Sequence, residues 1–440
     1  MLTLRRAPAL EVEAPRLDAE QQAVLAAREP VVRVLGAPGT GKSLLAVELV
    51  VDRVTRAGLA PDQCLVLAPT RTAAATLRER VTARLGGTST EPLARTHQAF
   101  GYAVLRREAA LAGGPAPRLL SGPEQDVILC DLLAGHASSA LPVTGPSWPP
   151  SLQPALTTRG FRAELRDLLM RAAEHGLQAS ELAELGRVHA RPEWVAAAAV
   201  FAEYDEVTAL SHPGGYDPAW ILTAAADLLE DDPAALERLR EQVRLVVVDD
   251  AQELTRAAAR LLQVIAHPGV QVVLLGDPDS GVQTFRGADP RLFAGTGSAG
   301  WAALAAAPAI VLGTAYRLPE AIHTAAATVA ARVGALGGGV QRAARPARAG
   351  GAVQVAQVRA VAQEAALVAT TLRRAHLQDG MPWRDMAVIV RGRGRTGTLR
   401  RVLAAAGVPL APAAAELPLR DEVAVRPLLA LLELALRHAL

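Results

Sequence analysis

The sequence predicts an α/β fold in which a parallel β-sheet is interrupted by a mostly helical insertion. The first observation is a set of short apolar runs rich in β-branched residues, which is typical of strands buried on both faces of a sheet. The second is that helical patterns separate these runs, as in β–α–β units. The third is a change in the middle of the chain, where helix-like stretches replace the apolar runs. The predicted strands are residues 31–35, 64–68, 245–248 and 272–275.

Helical spacing identifies the elements between these strands. A helix is predicted at residues 43–56, directly after the first strand. The insertion covers roughly residues 106–211, and within it residues 161–176 and 191–207 have helical spacing, the first stretch stopping at Gly176. These patterns predict a helical subdomain inserted into a sheet domain.

A further region begins near residue 310. Possible strands at 353–358 and 386–390 flank a helix pattern at 364–374, and the Gly/Arg-rich residues 334–351 predict a flexible connection. We therefore expect four parts: the first half of a sheet domain (1–105), the insertion (106–211), the second half of the sheet domain (212–308) and the start of a second domain (309–440).

Composition is that of a globular protein. Half of the 440 residues are hydrophobic, and the formal net charge of +2 predicts no global basic field, so a nucleic-acid surface would have to be a local groove. Cys64 and Cys130 lack metal-ligand spacing and fit a reducing compartment. The first residues lack the apolar core of a signal peptide, and no apolar run is long enough to predict a membrane span. We expect a cytoplasmic protein with no membrane partner.

One short segment carries the strongest chemical signal. It fits the pattern G-x-x-x-x-G-K-[ST] between a predicted strand and a predicted helix, and it contains Lys42, the only lysine in the chain. Its glycines let backbone N–H groups surround a phosphate, Lys42 would reach the β- and γ-phosphates, and Ser43 would bind Mg²⁺. The alternative is a glycine-rich turn with an incidental lysine. The segment consists of Gly36, Ala37, Pro38, Gly39, Thr40, Gly41, Lys42 and Ser43.

Polar residues elsewhere fit the same chemistry. Asp249 and Asp250 follow the predicted strand 245–248, where a carboxylate can hold Mg²⁺ through water; the alternative is a helix N-cap. Gln21 lies upstream of the phosphate loop, and its amide could pair with N6 and N7 of adenine. The sequence therefore predicts a site for ATP and Mg²⁺.

Seven segments in order, over roughly residues 16–330, resemble the UvrD/Rep/PcrA family of superfamily 1 DNA helicases. The segments are LDAEQQAV (Q motif), GAPGTGKS (motif I), LAPTRTAAATLRER (Ia), RTHQAF (Ib), VVVDDAQE (II), GDPDSGVQTFRGA (III) and AYRLPEAI (IV). The resemblance implies a P-loop NTPase with a RecA-like sheet domain 1A, a helical 1B insertion and the start of a second RecA-like domain, 2A. The Ala/Arg-rich style and segments such as residues 416–436 resemble most the actinobacterial AdnA-type, RecB-like helicase–nuclease subunits, which work as heterodimers.

The resemblance also implies roles around the nucleotide. Gln21 would read adenine and Tyr316 would stack on it. Lys42 and Ser43 would bind the β- and γ-phosphates and Mg²⁺, and Asp249 would hold the same Mg²⁺. Asp250 would orient the attacking water. Arg317 would reach the γ-phosphate from the second domain.

The partners implied are single-stranded DNA, duplex DNA ends and a second helicase–nuclease subunit. Phe285 would stack on a DNA base, with core packing as the alternative. The residues implied to face the phosphates of the strand, with ordinary surface as the alternative for the arginine and the histidine, are Thr70, Arg71, Thr96 and His97.

The sequence departs from the family pattern at several positions. Asp250 replaces a glutamate and is one methylene shorter, and Ser280 replaces a glutamine that senses the γ-phosphate. Leu44 replaces an arginine beside adenine, and Pro69 replaces an aromatic residue. Motifs V and VI do not occur before Leu440, so we expect a fragment or a truncated relative, and the last helical pattern, which has no cap, favours a fragment.

Three hypotheses follow. The first is an ATP-driven DNA translocase or helicase, moving 3′ to 5′ in DNA repair and recombination. The second is a subunit that binds nucleotide and DNA, hydrolyses ATP poorly and supports an active partner, which Asp250, Ser280 and Leu44 favour. The third is an unrelated P-loop enzyme such as a small-molecule kinase, against which motifs Ia, III and IV argue.

Overall fold

A computed structural model describes residues 14–86, 93–137, 146–295, 301–392, 395–411 and 425–439. The N-terminal residues 1–13, where we looked for a signal peptide, lie outside the described part, as do residues 416–424 of the segment used for the AdnA-type resemblance. The chain divides into two compact units, Met1–Val353 and Gln354–Leu440, which are described separately. No helix in the described ranges is both long enough and apolar enough to cross a bilayer.

The first unit is built on a six-stranded sheet in which every described pairing is parallel. All four strands predicted from the sequence are confirmed, because their β-branched apolar side chains are buried on both faces. The sheet order is β3-β2-β6-β7-β1-β8, and two shorter pairs, β4 with β5 and β9 with β10, lie outside it. The strands are β1 (Val31–Gly36), β2 (Cys64–Ala68), β3 (Ala94–Thr96), β4 (Arg118–Leu119), β5 (Gly215–Tyr216), β6 (Leu245–Val248), β7 (Gln271–Gly276), β8 (Ala309–Leu312), β9 (Thr314–Pro319) and β10 (Arg345–Arg348).

Helices cover both faces of the sheet. The predicted helices at 43–56, 161–176 and 191–207 are confirmed as α2, α6 and α8 within a residue or a turn of their ends. The helices are α1 (Ala19–Ala26), α2 (Lys42–Thr55), α3 (Arg71–Leu85), α4 (His97–Leu111), α5 (Gly122–Ala137), α6 (Arg159–Glu174), α7 (Ala179–Val188), α8 (Pro192–Ser211), α9 (Ile221–Asp231), α10 (Pro233–Gln242), α11 (Arg256–Ile265), α12 (Pro290–Ala294), α13 (Ala302–Ala306), α14 (Glu320–Ala330), α15 (Val361–Leu377), α16 (Thr396–Ala405) and α17 (Arg426–Ala439).

Three apolar cores stabilise the first unit. One face of the sheet packs on α1, α2 and α3, and the other on α4, α9, α10 and α11. The insertion has its own core between α5, α6, α7 and α8, centred on Leu129, Leu169 and Phe201. Burying each such side chain contributes about 1.5–3 kcal/mol. The insertion therefore packs as a helical body with its own interior, while α4 runs across residue 106, where we placed its start.

The strand register brings the carboxyl ends of all six strands to one edge of the sheet. Leu35 of β1 pairs with Gly276 of β7, and Val248 of β6 is opposite Leu274 of β7. Ala68 of β2 pairs with Thr96 of β3 on the far side. Loops that leave this edge are the ones whose side chains can meet at one site, as in open α/β sheets generally.

The predictions for the last third of the chain need corrections. β8 joins the main sheet beyond residue 308, where we ended the sheet domain. The strands predicted at 353–358 and 386–390 are wrong: neither range forms a ladder with another described segment, and Val355 and Ile389 are each 94% exposed. An apolar run becomes a strand only where a neighbour completes its hydrogen bonds. In the second unit, α15 confirms the predicted helix at 364–374 and packs with α16 around Ala369 and Leu403.

Candidate functional site

The phosphate loop, residues 36–43, joins β1 to α2 at the carboxyl edge of the sheet. Gly39 has φ +86°, and a Cβ there would lie 3.2 Å from Cβ of Arg317 and 3.3 Å from the Leu318 nitrogen. A glycine is therefore required both by the backbone conformation and by the close approach of β9. Gly41 is the N-cap of α2, whose first N–H groups have no partner within the helix and point toward the loop.

Lys42 lies among carboxylates. Its Nζ donates to the carbonyl oxygens of Gly36, at 2.7 Å, and Ala37, at 3.1 Å. Burial lowers the pKa of Lys42, while the charges of Asp277, Asp250 and Asp249 raise it. Within the described residues, the hydrogen-bond partners of this half-buried ammonium are carbonyl oxygens, which it can exchange for phosphate oxygens.

Asp249 provides a fitting ligand for Mg²⁺ beside this lysine. It follows β6, is 3% exposed, and its backbone nitrogen donates to Leu67 O at 2.9 Å. Burial raises the pKa of Asp249 to about 6, the neighbouring Asp250 adds to the shift, and a hydrogen bond with the Ser43 hydroxyl opposes it. Its Oδ1 is buried and has no hydrogen-bond partner within the described ranges. An orphaned carboxylate oxygen next to a hydroxyl fits the oxygen donors that Mg²⁺ prefers.

Asp250 has a left-handed backbone, with φ 51° and ψ 49°. Aspartate tolerates this conformation better than most residues. Its Oδ1 accepts a hydrogen bond from Gln252 Nε2 at 3.1 Å, and Gln252 Oε1 accepts one from the Asp277 nitrogen at 3.0 Å. Gln252, which the sequence analysis did not single out, therefore links the ends of β6 and β7.

Gln21 is buried under the phosphate loop. Its Nε2 donates to Thr40 O at 3.2 Å, and its Oε1 accepts from the Asp18 nitrogen at 3.2 Å as part of the cap of α1. Asp18 Oδ2 also accepts from the Tyr316 hydroxyl at 2.5 Å. The structure thus joins α1, the loop and β9, and the contact of Gln21 and Tyr316 with adenine stays a prediction.

The start of β9 lies directly against the phosphate loop. The backbone nitrogens of Tyr316 and Arg317 donate to Gly39 O at 2.9 and 3.3 Å. The positive charge of Arg317 is near enough to lower the pKa of Lys42. The two motifs that the resemblance assigns to the phosphates, I and IV, are therefore in contact.

The Phe285 turn, residues 282–287, leaves the same edge after β7. Phe285 is 69% exposed, which excludes core packing, and the Arg286 guanidinium lies 5.5 Å from the centre of its ring. Both oxygens of Glu253 accept backbone N–H groups of the turn, from Val282 at 2.7 Å and Gln283 at 2.9 Å. The sequence pattern did not identify Glu253, although it belongs to the motif II segment.

A second support for this turn comes from the helical insertion. Arg171 of α6 donates to Phe285 O and forms an ion pair with Glu174 at 2.8 Å. A Cβ on Gly287 would lie 2.7 Å from Cβ of Glu174, so the turn and α6 are in close contact. Nothing in the sequence marks Arg171 or Glu174, because this contact depends on how the insertion packs.

The remaining residues assigned to DNA lie where β2 and β3 end. Thr70 and Thr96 are N-caps of α3 and α4 and accept from the nitrogens of Ala73 and Ala99, and Arg71 is exposed. His97 corrects our expectation: it is buried, which lowers its pKa to about 4, and its Nε2 has no hydrogen-bond partner in the described part of the chain. A buried, neutral imidazole offers no positive charge to a DNA phosphate.

Comparisons with known proteins identify the family of this chain. The model of the UvrD/REP helicase N-terminal domain matches residues 17–297. The ATP-dependent DNA helicase UvrD2 of Mycobacterium tuberculosis is 25% identical over 414 residues, covering 89% of this chain and 54% of that protein. RecBCD enzyme subunit RecB of the same organism is 26% identical over 305 residues, covering 60% of this chain and 27% of RecB.

The chain spans about half the length of UvrD2 and about a quarter of RecB. The predicted α/β architecture with a RecA-like parallel sheet is confirmed, and so is the resemblance inferred from the motifs. The family match covers well over half of the chain and runs from the segment before Gln21 to beyond the Phe285 turn. This chain therefore belongs to the UvrD/REP family of superfamily 1 helicases.

Proposed function

We propose that this chain is the nucleotide- and DNA-binding core of a superfamily 1 DNA helicase that couples ATP hydrolysis to movement on single-stranded DNA. One observation carries the proposal. Lys42, the unpartnered Oδ1 of Asp249 and the start of β9, which contains Arg317, lie together at the phosphate loop. Movement from 3′ to 5′ and action in repair and recombination are further parts of the proposal, and they rest on the resemblance alone. We also propose a cytoplasmic location, which is supported by two cysteines that lack metal-ligand spacing and fit a reducing compartment.

The proposed mechanism assigns each residue one task. Lys42 exchanges its carbonyl partners for β- and γ-phosphate oxygens, and the N-terminus of α2 adds its partial positive charge. Ser43 and Asp249 would hold Mg²⁺, which neutralises phosphate charge when bound. Asp250 orients the attacking water and accepts its proton, and Arg317 stabilises charge on the transferring phosphoryl group.

Residues 250–253 provide a route from nucleotide to DNA. Asp250 and Gln252 face the ends of β6 and β7, while Glu253 holds the backbone of the Phe285 turn. A displacement of this segment on nucleotide binding would therefore move the proposed base-stacking residue. Stacking on Phe285 would contribute about 1–3 kcal/mol and would not depend on base identity. Thr70, Arg71 and Thr96 would contact the strand farther along the same edge.

A second function is favoured by two observations. Asp250 is shorter than the family glutamate, and a base misplaced by about 1 Å can lower the rate roughly a hundredfold. Ser280, at the position of the γ-phosphate sensor, donates its hydroxyl to Asp277 at 2.7 Å. A subunit that binds ATP and DNA but turns over slowly would work beside an active partner. RecB is named as a subunit of a larger enzyme; by analogy we propose a second helicase–nuclease subunit as partner and duplex ends as substrate.

The test is ATP hydrolysis by the full chain, with and without single-stranded DNA, for the parent and for Lys42→Ala. Arg187→Ala is the matched control, because Arg187 is an exposed residue paired with Glu184 in the insertion. DNA-stimulated ATP turnover that is lost only in Lys42→Ala supports the ATP-driven DNA helicase. Binding of ATP and DNA without turnover supports the second function. A parent that fails to bind ATP overturns both.

A further inference from the structure

The Gly/Arg-rich segment after α14 is ordered, although its composition predicts a flexible connection. Residues 336–343, here called the glycine strap, form a 3₁₀ stretch in which three consecutive glycines have left-handed backbones. Their φ angles are 62° at Gly337, 83° at Gly338 and 66° at Gly339. Three such residues in a row make a reversal that other residues would strain. The reversal brings Gln341 and Arg342 back toward the end of β7.

Gln341 enters the protein at the nucleotide edge of the sheet. Gln341 is 1% exposed. Its Nε2 donates to Asp277 Oδ1 at 3.2 Å and to Asp279 Oδ2 at 3.0 Å. Burying an amide without partners costs about 1–3 kcal/mol. The two carboxylates satisfy this amide, so the contact fixes the position of the strap.

Arg342 forms a fork-to-fork ion pair with the second of these carboxylates. Its Nε and Nη2 each donate to an oxygen of Asp279 at 2.6 Å, and both side chains are more than three-quarters buried. Planar bidentate pairs of this kind are among the stronger charge-assisted hydrogen bonds. The charge of Asp279 is therefore balanced by a residue outside motif III.

The first of these carboxylates lies beside the phosphate loop. Asp277 directly follows Gly276 of β7, which pairs with Leu35 of β1 just before the loop. The Asp277 nitrogen donates to Gln252, whose Nε2 donates in turn to Asp250. A carboxylate at this place attracts Lys42 and repels an incoming phosphate. Donors that hold Asp277 and Asp279 reduce both effects, because like charges at short range are unfavourable in a partly buried site.

We propose that Gln341 and Arg342 are positioning residues for nucleotide binding, which hold and neutralise the carboxylates at the end of β7 so that Lys42 can bind phosphate. The inference rests on the proposed function, since it requires an ATP site at the phosphate loop. It also gives this chain a carboxamide at the end of β7, where Ser280 replaces the glutamine of the family pattern. The amide comes from the strap rather than from motif III.

The experiment measures the dissociation constant of a fluorescent ATP analogue with Mg²⁺ for the parent, Arg342→Ala, Asp279→Asn, the double variant and Gln341→Glu. Arg342→Ala leaves Asp279 unbalanced and should weaken binding on the order of tenfold. The double variant removes the same ion pair but also removes the unbalanced charge, so its affinity should return to within about threefold of the parent. Gln341→Glu adds a carboxylate at the same place and should weaken binding at least as much as Arg342→Ala.

The rescue separates an electrostatic role from a structural one. If the pair merely anchors the strap, the double variant binds as weakly as Arg342→Ala, and the proposal is overturned. Equal affinity of Arg342→Ala and parent overturns it as well. Arg345→Ala, an exposed arginine in β10, is the matched control and should bind like the parent. Lys42→Ala gives the affinity expected when the phosphate loop no longer binds ATP. If the parent binds no more tightly than Lys42→Ala, the proposed function fails. If the parent binds tightly but the variants do not behave as expected, only this inference fails.

Discussion

The phosphate loop and the Phe285 turn leave the same edge of one sheet but are held in different ways. The loop is shaped mainly by its own glycines and by the helix it starts, and the outside groups that reach it, from Gln21 and the start of β9, donate to its backbone carbonyls. The Phe285 turn is held from outside, by Glu253 after β6 and by Arg171 of the insertion. The loop conformation is encoded mainly in one continuous segment, whereas the turn depends on contacts with residues 29 and 114 positions away in the sequence.

The difference separates what is fixed from what can respond. A loop whose conformation depends mainly on its own glycines and on the helix it starts keeps most of that conformation when its neighbours move. The Phe285 turn is held by side chains from the motif II segment and from α6, so its position changes when either of them moves. Conformational coupling needs an element whose contacts differ between states, and the Phe285 turn has such contacts with the motif II segment and with α6. The first two predictions below act on one region each, and the later two act on the contact between the turn and the insertion.

The largest effect is expected at Asp250, on the nucleotide side. Asp250→Glu restores the missing methylene and should raise the turnover number for ATP by tenfold or more, because a misplaced base loses roughly a hundredfold per ångström. Asp250→Asn keeps the shape without a base and should abolish turnover. Steady-state ATP hydrolysis with saturating single-stranded DNA measures both. Turnover of Asp250→Glu within threefold of the parent would show that the shorter aspartate already reaches the water.

Phe285→Ala tests the DNA side. Loss of one stacking platform should weaken binding of an oligothymidylate by about 1–3 kcal/mol, or roughly 5- to 150-fold, measured by fluorescence anisotropy. Phe285→Trp retains a π face and should bind within about threefold of the parent. Leu210→Ala is the control, since Leu210 is 83% exposed on α8. If Phe285→Ala binds DNA like this control, the turn does not carry the strand.

Arg171→Ala tests whether the insertion supports the turn. The bond from Arg171 to Phe285 O is exposed, so solvent screening reduces its worth to about 1 kcal/mol, and DNA affinity should fall several-fold. ATP affinity should not change, because Phe285 and Glu174, which Arg171 contacts, lie outside the phosphate loop. Arg171→Lys keeps the charge but loses the fork, and should give an intermediate value. A DNA affinity equal to that of the parent would mean that Glu253 alone holds the turn.

The same contrast explains what sequence analysis could predict. Lys42, Ser43 and Asp249 follow strands whose apolar runs are readable, so both the strands and the site at their ends were predictable. Gln252 and Glu253 lie in a quoted motif, but their partners on β7 and the Phe285 turn are set by the order of strands in the sheet. Arg171, Gln341 and Arg342 act across packing contacts that no local pattern encodes.

His97 was misjudged for the same reason, because burial of a helix's first residue depends on what packs over it. The strands predicted at 353–358 and 386–390 failed because an apolar run does not specify a partner.

The smallest expected effect is a pH dependence at the insertion. Burial raises the pKa of Glu174 to about 7, although Arg171 on the same helix and Arg286 on the Phe285 turn lower it, and Asp217 before α9 adds to the rise. With the folded pKa above the ordinary value of 4.5, the unfolded chain loses this proton first. The stability of the fold therefore falls as pH rises from about 4.5 to 7 and is level above that. Glu174→Gln removes this slope, so its thermal midpoint relative to the parent should be higher at pH 8 than at pH 5, by about 1–2 °C. A difference that is the same at both pH values would mean that the Arg171 ion pair offsets burial, and a reversed difference would mean that it outweighs burial. The contact of α6 with the turn would then be an attraction at every pH rather than one that weakens as Glu174 ionises.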